Sequence, residues 1–108
     1  MNQLKRKVYK RGSSYEVTIP KSLLWNLDIE KKYCIVFKRE KNKWKFKFEL
    51  LKNKKEKIGE LWRRVYKRGS SYETTLPLPI LFNLDLKKKY FAVFDSDLSI
   101  ELERGDDK

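Results

Sequence analysis

The sequence predicts a mainly β protein: a small β-barrel of about eight strands with two short helices, built with pseudo-two-fold symmetry from two β-β-α-β-β repeats. The first observation behind this prediction is an internal duplication. Residues 8–37 recur as residues 65–94, with 20 of 30 positions identical at an offset of 57. The second is an alternation of apolar and polar residues, which is typical of half-buried strands. The third is a proline followed by leucines in each copy, a pattern that begins a short helix.

The duplication also predicts how the chain is organised. Each copy has about 50 residues, and a unit this short buries too little apolar surface to offset its conformational entropy. Two copies packed together remove that difficulty. We therefore expect residues 1–108 to form one composite domain, with repeat one at 4–50, a Lys-rich linker at 51–61 and repeat two at 62–104.

The first half of each repeat predicts a hairpin and then a helix. Residues 5–10 lead into a Gly-Ser-Ser turn signal, and residues 15–19 alternate as a half-buried strand does. Pro20 ends that strand, and residues 21–27 place three leucines on one side of about two helical turns. Repeat two has prolines at 77 and 79, which are tolerated only in a first helical turn and keep its helix short.

The second half of each repeat predicts two further strands. Residues 33–37 form a nearly continuous apolar run, as in a strand buried on both faces. The strand that follows alternates, and its Phe46 and Phe48 correspond to Ile100 and Leu102 if the turn in repeat one is three residues longer.

The residue types exclude several kinds of chemistry. The chain has no histidine and one cysteine, so neither a zinc ligand set nor His-based acid–base catalysis is available. Cys34 is replaced by Phe91 in the second copy, which indicates a packing position. Four well-separated glycines do not form a phosphate-binding loop. We predict a protein that is not an enzyme and needs no metal or cofactor.

Two features bear on location. No stretch approaches the roughly 18 apolar residues of a membrane span, and the chain runs from Met1 to Lys5, Arg6 and Lys7 without an apolar stretch. We therefore expect a cytoplasmic protein that does not bind a membrane.

The charge is strongly one-sided. The formal net charge is +12, and all of it comes from residues 1–57, because residues 58–108 hold nine basic and nine acidic side chains. A thermophile-like surface of ion-pair networks would carry balanced charges. The excess favours a polyanion as the partner.

One segment of each copy resembles a known family. Residues 10–29 combine a basic turn, a strand ending in Ile-Pro, a Leu-rich segment and Leu-Asp-Ile, and this pattern is similar to the SpoVT-AbrB/MazE domains. Residues 67–86 resemble it too. Thr18 and Thr75 stand where many members have an arginine, and the Gly-Asp common after the helix is absent.

The resemblance implies a swapped-hairpin barrel, with a family homodimer fused into one polypeptide. A RIFT-type cradle-loop barrel, known from similar single-chain archaeal proteins, is the topological alternative. The resemblance to the SpoVT-AbrB/MazE domains also implies that duplex DNA binds at the N-terminal hairpins. The expected protein is therefore a transcriptional regulator that acts as a monomeric pseudo-dimer.

Basic positions retained in both copies mark the expected site. Six pairs are retained, including Lys31/Lys88 and Lys32/Lys89. The other four flank the turns, which the family arrangement would place side by side to form a patch for duplex phosphates. With the turn serines as weaker donors, the predicted DNA-binding residues are Arg6, Lys7, Lys10, Arg11, Ser13, Arg63, Arg64, Lys67, Arg68 and Ser70. Lys45 and Lys47 would make one end of the molecule more basic.

Most aromatic residues have core-facing periods, so packing is favoured over base stacking. Trp25, Phe82 and Trp62 are expected to close the ends of the barrel. Two alternative functions remain: an antitoxin-type interaction module, although only a short acidic tail follows the last strand, and an RNA or single-strand binder, because charge does not distinguish polyanions.

Overall fold

The computed structural model describes residues 3–28, 30–81, 84–85 and 87–105. It confirms a mainly β protein with a barrel-like sheet. The strands are β1 Leu4–Arg11, β2 Ser14–Thr18, β3 Tyr33–Glu40, β4 Lys43–Leu50, β5 Glu60–Arg64, β6 Tyr66–Arg68, β7 Ser71–Thr75, β8 Tyr90–Phe94 and β9 Ser99–Arg104. The count exceeds the expected eight because the first strand of repeat two is interrupted at Val65.

All nine strands belong to one sheet that is nearly closed. Their order is β5-β3-β4-β9-β8-β1-β2-β7-β6, and every neighbouring pair is antiparallel. The two strands at the ends of this order are consecutive in the chain, separated by Val65 alone. The Val65 amide donates to the carbonyl oxygen of Tyr33 at 2.9 Å and so continues the β5–β3 ladder. Closure leaves little exposed sheet edge.

The two repeats exchange their first strands. Leu4 of repeat one pairs with Phe94 of repeat two, and Leu61 of repeat two pairs with Phe37 of repeat one, which is the same register at an offset of 57. Strands β2 and β7 pair across the pseudo-two-fold axis, with Val17 opposite Thr74 at the centre. Each repeat therefore needs the other to complete its sheet.

The main core draws on both repeats. Val17, Phe37 and Phe94 are almost fully buried in it. The expected alignment of the last strands is confirmed, because Phe37 pairs with Phe46 and Phe94 pairs with Ile100. The rings of Phe46 and Phe94 meet edge to face at 5.6 Å between centroids, a favourable aromatic geometry.

A small second cluster lies apart from this core. Cys34 is buried against Val36 and Trp62, which confirms its role in packing, and burial raises the pKa of its thiol. Trp25 does not close an end of the barrel as expected, because 79% of it is exposed. Phe82 lies outside the described residues.

The two predicted short helices are wrong. Lys21–Leu24 and Leu78–Leu81 are single 3-10 turns of four residues. The amide of residue 23 donates to the carbonyl of Pro20 at 3.0 Å, and that of residue 27 donates to the carbonyl of Leu24 at 3.0 Å. A segment this short does not sustain an α-helix by itself, and Pro79 has no amide hydrogen to contribute. The leucines instead anchor a series of turns on the barrel.

Candidate nucleic-acid interface

The two N-terminal hairpins lie side by side, but their turns do not. Strands β2 and β7 are antiparallel, so Glu16 faces Thr75 while Thr18 faces Glu73. In this register the turn at residues 12–13 lies about nine residues, or roughly 30 Å, from the turn at residues 69–70. The expected patch of two adjacent turns is therefore not formed. The turn serines are at opposite ends of the four-strand ribbon.

The pseudo-two-fold axis instead carries a cluster of four charges. Arg11 donates from Nε to Oε1 of Glu16 at 2.8 Å, and its Nη2 lies 3.7 Å from Glu73. Arg68 repeats the arrangement, at 2.9 Å from Glu73 and 3.8 Å from Glu16. Each carboxylate thus has two guanidinium partners, one from each repeat, and the cluster is electrically neutral.

Burial explains why these arginines are retained in both copies. Glu16 is 8% exposed and Glu73 is 7% exposed, and a buried carboxylate without a partner is costly. The ring of Tyr66 lies against Arg68, with the guanidinium carbon 5.3 Å from its centroid. Burial, together with a hydrogen bond to Glu16, raises the pKa of Tyr66. Arg11 and Arg68 therefore stabilise the join between the hairpins, and their charges are already paired with carboxylates.

Lysines close in sequence to these arginines line two clefts between the repeats. The first cleft, of about 510 Å³, lies where the hairpin of repeat two meets the turns and the 30–33 loop of repeat one. The second cleft, of about 230 Å³, lies where the hairpin of repeat one meets the corresponding loop of repeat two. The cationic residues that line the first cleft are Lys31, Lys32, Arg64 and Lys67, and those that line the second are Lys10, Lys87, Lys88 and Lys89.

The two clefts are equivalent positions of the duplication. Lys10 of the second cleft corresponds to Lys67 of the first, and the pairs Lys31/Lys88 and Lys32/Lys89 correspond in the same way. The one acid at these positions is Glu30, in the first cleft; repeat two has Lys87 there. Three of the six retained basic pairs thus converge across the repeat boundary. The loop lysines were missing from the predicted site, although their retention in both copies was a visible signal.

Tyrosines hold the loops that carry these lysines. The Asp28 amide donates to the Tyr33 hydroxyl oxygen at 3.1 Å, and the Asp85 amide donates to that of Tyr90 at 3.1 Å. Asp28 in turn accepts a hydrogen bond at Oδ1 from the amide of residue 30 at 3.0 Å. This hydrogen bond to a tyrosine hydroxyl occurs in both repeats and holds the loop lysines at the rim of each cleft.

The remaining predicted residues are dispersed. Arg6 donates to the carbonyl of Lys5 at 2.7 Å, and Arg63 donates to that of Trp62 at 2.9 Å, so both side chains lie along their own strands. Lys7, Ser13 and Ser70 are exposed, and Ser70 lines a depression next to Trp25.

Part of the basic surplus of repeat one is neutralised by repeat two. Lys43 lies 3.1 Å and Lys45 lies 3.8 Å from the carboxylate of Asp97. Hydrogen bonds lower the pKa of Asp97 to about 2, and the one from Ser99 contributes more than the one from Lys43. The outer face of β4 is therefore less available to a polyanion than its sequence indicates.

The described residues contain no group of three His, Cys, Asp or Glu side chains that could hold a metal ion. They also include no helix that is long and apolar enough to span a membrane. The resemblance to the SpoVT-AbrB/MazE family remains a prediction, because no family model, curated protein or solved structure matches this chain significantly.

Proposed function

We propose that this protein binds duplex DNA through its two basic clefts and acts as a fused, AbrB-like pseudo-dimer, in the manner of a transcriptional regulator. The observation that carries the proposal is the convergence of retained lysines from different repeats. Lys10 meets Lys88 and Lys89 in one cleft, and Lys67 meets Lys31 and Lys32 in the other.

The grouping of these lysines has no structural explanation of its own. Within the described ranges, no ion pair of 4.0 Å or less involves any of these six lysines. Like charges brought together without ion-pair partners repel one another, which opposes folding. A bound polyanion turns this repulsion into a favourable interaction, because its phosphates pair with the lysines and the binding releases counterions.

The pseudo-two-fold axis favours a duplex over a single strand. From the strand register, Lys10 and Lys67 are about four residues apart along the strands and three strands apart across them, a separation of roughly 20 Å. The backbones of a duplex are themselves related by two-fold axes, so a protein with this symmetry can contact both strands equivalently. The separation of Lys10 and Lys67 exceeds the roughly 12 Å width of the major groove, so the two lysines can contact the backbones on its two sides.

The test is a fluorescence-anisotropy titration of a labelled duplex at several salt concentrations. Engaging Z phosphates predicts a log–log slope of about −0.9Z, and Lys10→Gln with Lys67→Gln should lower the slope magnitude by about 2. The matched control is Lys43→Gln with Lys45→Gln, which removes the same charge from the face that Asp97 neutralises. Absence of binding to any duplex at low salt, or an equal loss in the control, would contradict the proposal.

A further inference from the structure

Trp25 is the largest exposed aromatic side chain among the described residues, and it lies beside cations. It is 79% exposed on the turn that follows Lys21–Leu24. A depression of about 380 Å³ lies against it and is also lined by Lys21, Lys67, Ser70 and Tyr72. An indole this exposed is accessible for stacking on a partner with a flat apolar face.

This depression adjoins the first cleft. Both are lined by Leu24, Leu27, Lys67 and Tyr72, so they form one groove that runs from Trp25 towards Lys31 and Lys32. A groove in which cations alternate with aromatic rings is the arrangement that binds unpaired nucleotides: the rings stack on bases and the cations follow the phosphates.

The cation Lys21 of this groove is specific to one end of the molecule. In repeat two, Leu78 stands at the position of Lys21, and Phe82 at that of Trp25. Leu78 is 63% exposed, so the corresponding turn presents an apolar side chain where repeat one presents a cation. The second cleft therefore does not have the same cationic extension. The duplication has left one of its two binding positions with an additional contact.

We infer that Trp25 stacks on an unpaired base next to the bound duplex, with the adjoining phosphate between Lys21 and Lys67. This inference rests on the proposed function and adds to it a preference for duplexes with a single-stranded extension. A blunt duplex uses the two clefts alone, whereas an extended one fills the groove as well.

The experiment compares a blunt duplex with the same duplex carrying a short thymidine extension, on either strand, by anisotropy at fixed salt. The extension should tighten binding by at least about fivefold, given the usual contribution of one stacked base. Trp25→Ala should abolish that advantage and leave blunt-duplex affinity within about twofold, while Trp25→Phe should keep part of it. Leu78→Ala is the matched control, since it removes an exposed apolar side chain from the equivalent turn.

Each outcome is decisive. If the extension gives no advantage while the blunt duplex binds, the inference is wrong and the proposed function stands. If Leu78→Ala removes the advantage as well, or Trp25→Ala weakens blunt binding equally, the specific role of Trp25 is wrong. If neither duplex binds at low salt, the proposed function itself fails.

Discussion

Arg11 donates a hydrogen bond from Nε to the Glu16 carboxylate at 2.8 Å, and Glu16 is only 8% exposed. The contact stabilises the protein, whereas the sequence alone predicts Arg11 as a DNA-binding residue. Arg68 and Glu73 repeat the contact, and each arginine also approaches the glutamate of the other repeat. The four side chains join the two hairpins across the pseudo-two-fold axis.

Removing one member of this cluster should destabilise the fold. Arg11→Ala leaves Glu16 with one guanidinium partner, and we expect the free energy of unfolding to fall by about 1–3 kcal/mol. Urea denaturation followed by circular dichroism measures it. Lys52→Ala, an exposed cation of the linker, is the control and should change stability by less than about 0.5 kcal/mol. Equal stability of Arg11→Ala and the wild type would show that the cluster is not stabilising.

The adjacent residues Lys10 and Arg11 should differ in their effect on DNA binding. Lys10→Gln removes a cleft cation and should lower the magnitude of the salt slope by about 0.9. Arg11→Gln should leave that slope nearly unchanged, because its charge is already neutralised by Glu16. Anisotropy titrations at a temperature where both variants are folded make the comparison. A larger change for Arg11→Gln would place the binding site on the outer face of the hairpins.

The tyrosine hydroxyls should govern the order of the lysine-bearing loops. Tyr33→Phe removes the acceptor of the Asp28 amide, at a cost of about 0.5–1.5 kcal/mol. Hydrogen exchange should then become faster at the amide of Asp28 and stay unchanged at Asp85, where Tyr90 is intact. Tyr90→Phe should give the reverse pattern. If neither amide is protected in the wild type, the hydroxyls do not hold these loops.

Asp97 should contribute an acid-sensitive component of stability. Its pKa is lowered from 3.8 to about 2 in the folded protein, chiefly by Ser99. A depressed pKa means that the stabilisation is present above the unfolded value of 3.8 and is lost as the pH falls towards 2. Thermal melts between pH 7 and pH 2 should show a shallower acid decline for Asp97→Asn than for the wild type. Equal acid declines for Asp97→Asn and the wild type would show that Asp97 contributes no acid-sensitive stability.

Much of the fold follows from local pattern. The duplication, the alternation and the match of Phe46 with Ile100 all appear in the structure, because side-chain period and burial determine strands directly. The prediction of two short helices is wrong because leucine spacing does not distinguish an α-helix from successive 3-10 turns that bury the same leucines.

The site was harder to predict because it depends on how the repeats pair. Alignment alone does not reveal that β2 and β7 run antiparallel, which separates the turns and brings Lys10 to a loop of the other repeat. The retention of Glu16 with Arg11, and of Glu73 with Arg68, was the sequence signal for an ion-pair cluster. The sequence predicts Trp25 at the barrel end because tryptophan is highly buried on average, whereas in the structure it is 79% exposed.

Two-dimensional amide NMR of the ¹⁵N-labelled protein, titrated with a duplex, tests most directly whether the clefts between the repeats are the binding site. Binding in the clefts predicts that the amides that shift will cluster around Lys10 and Lys67 and in the two loops, at residues 31–33 and 88–90. Shifts confined to the outer face of β4, around Lys43–Lys47, would contradict it.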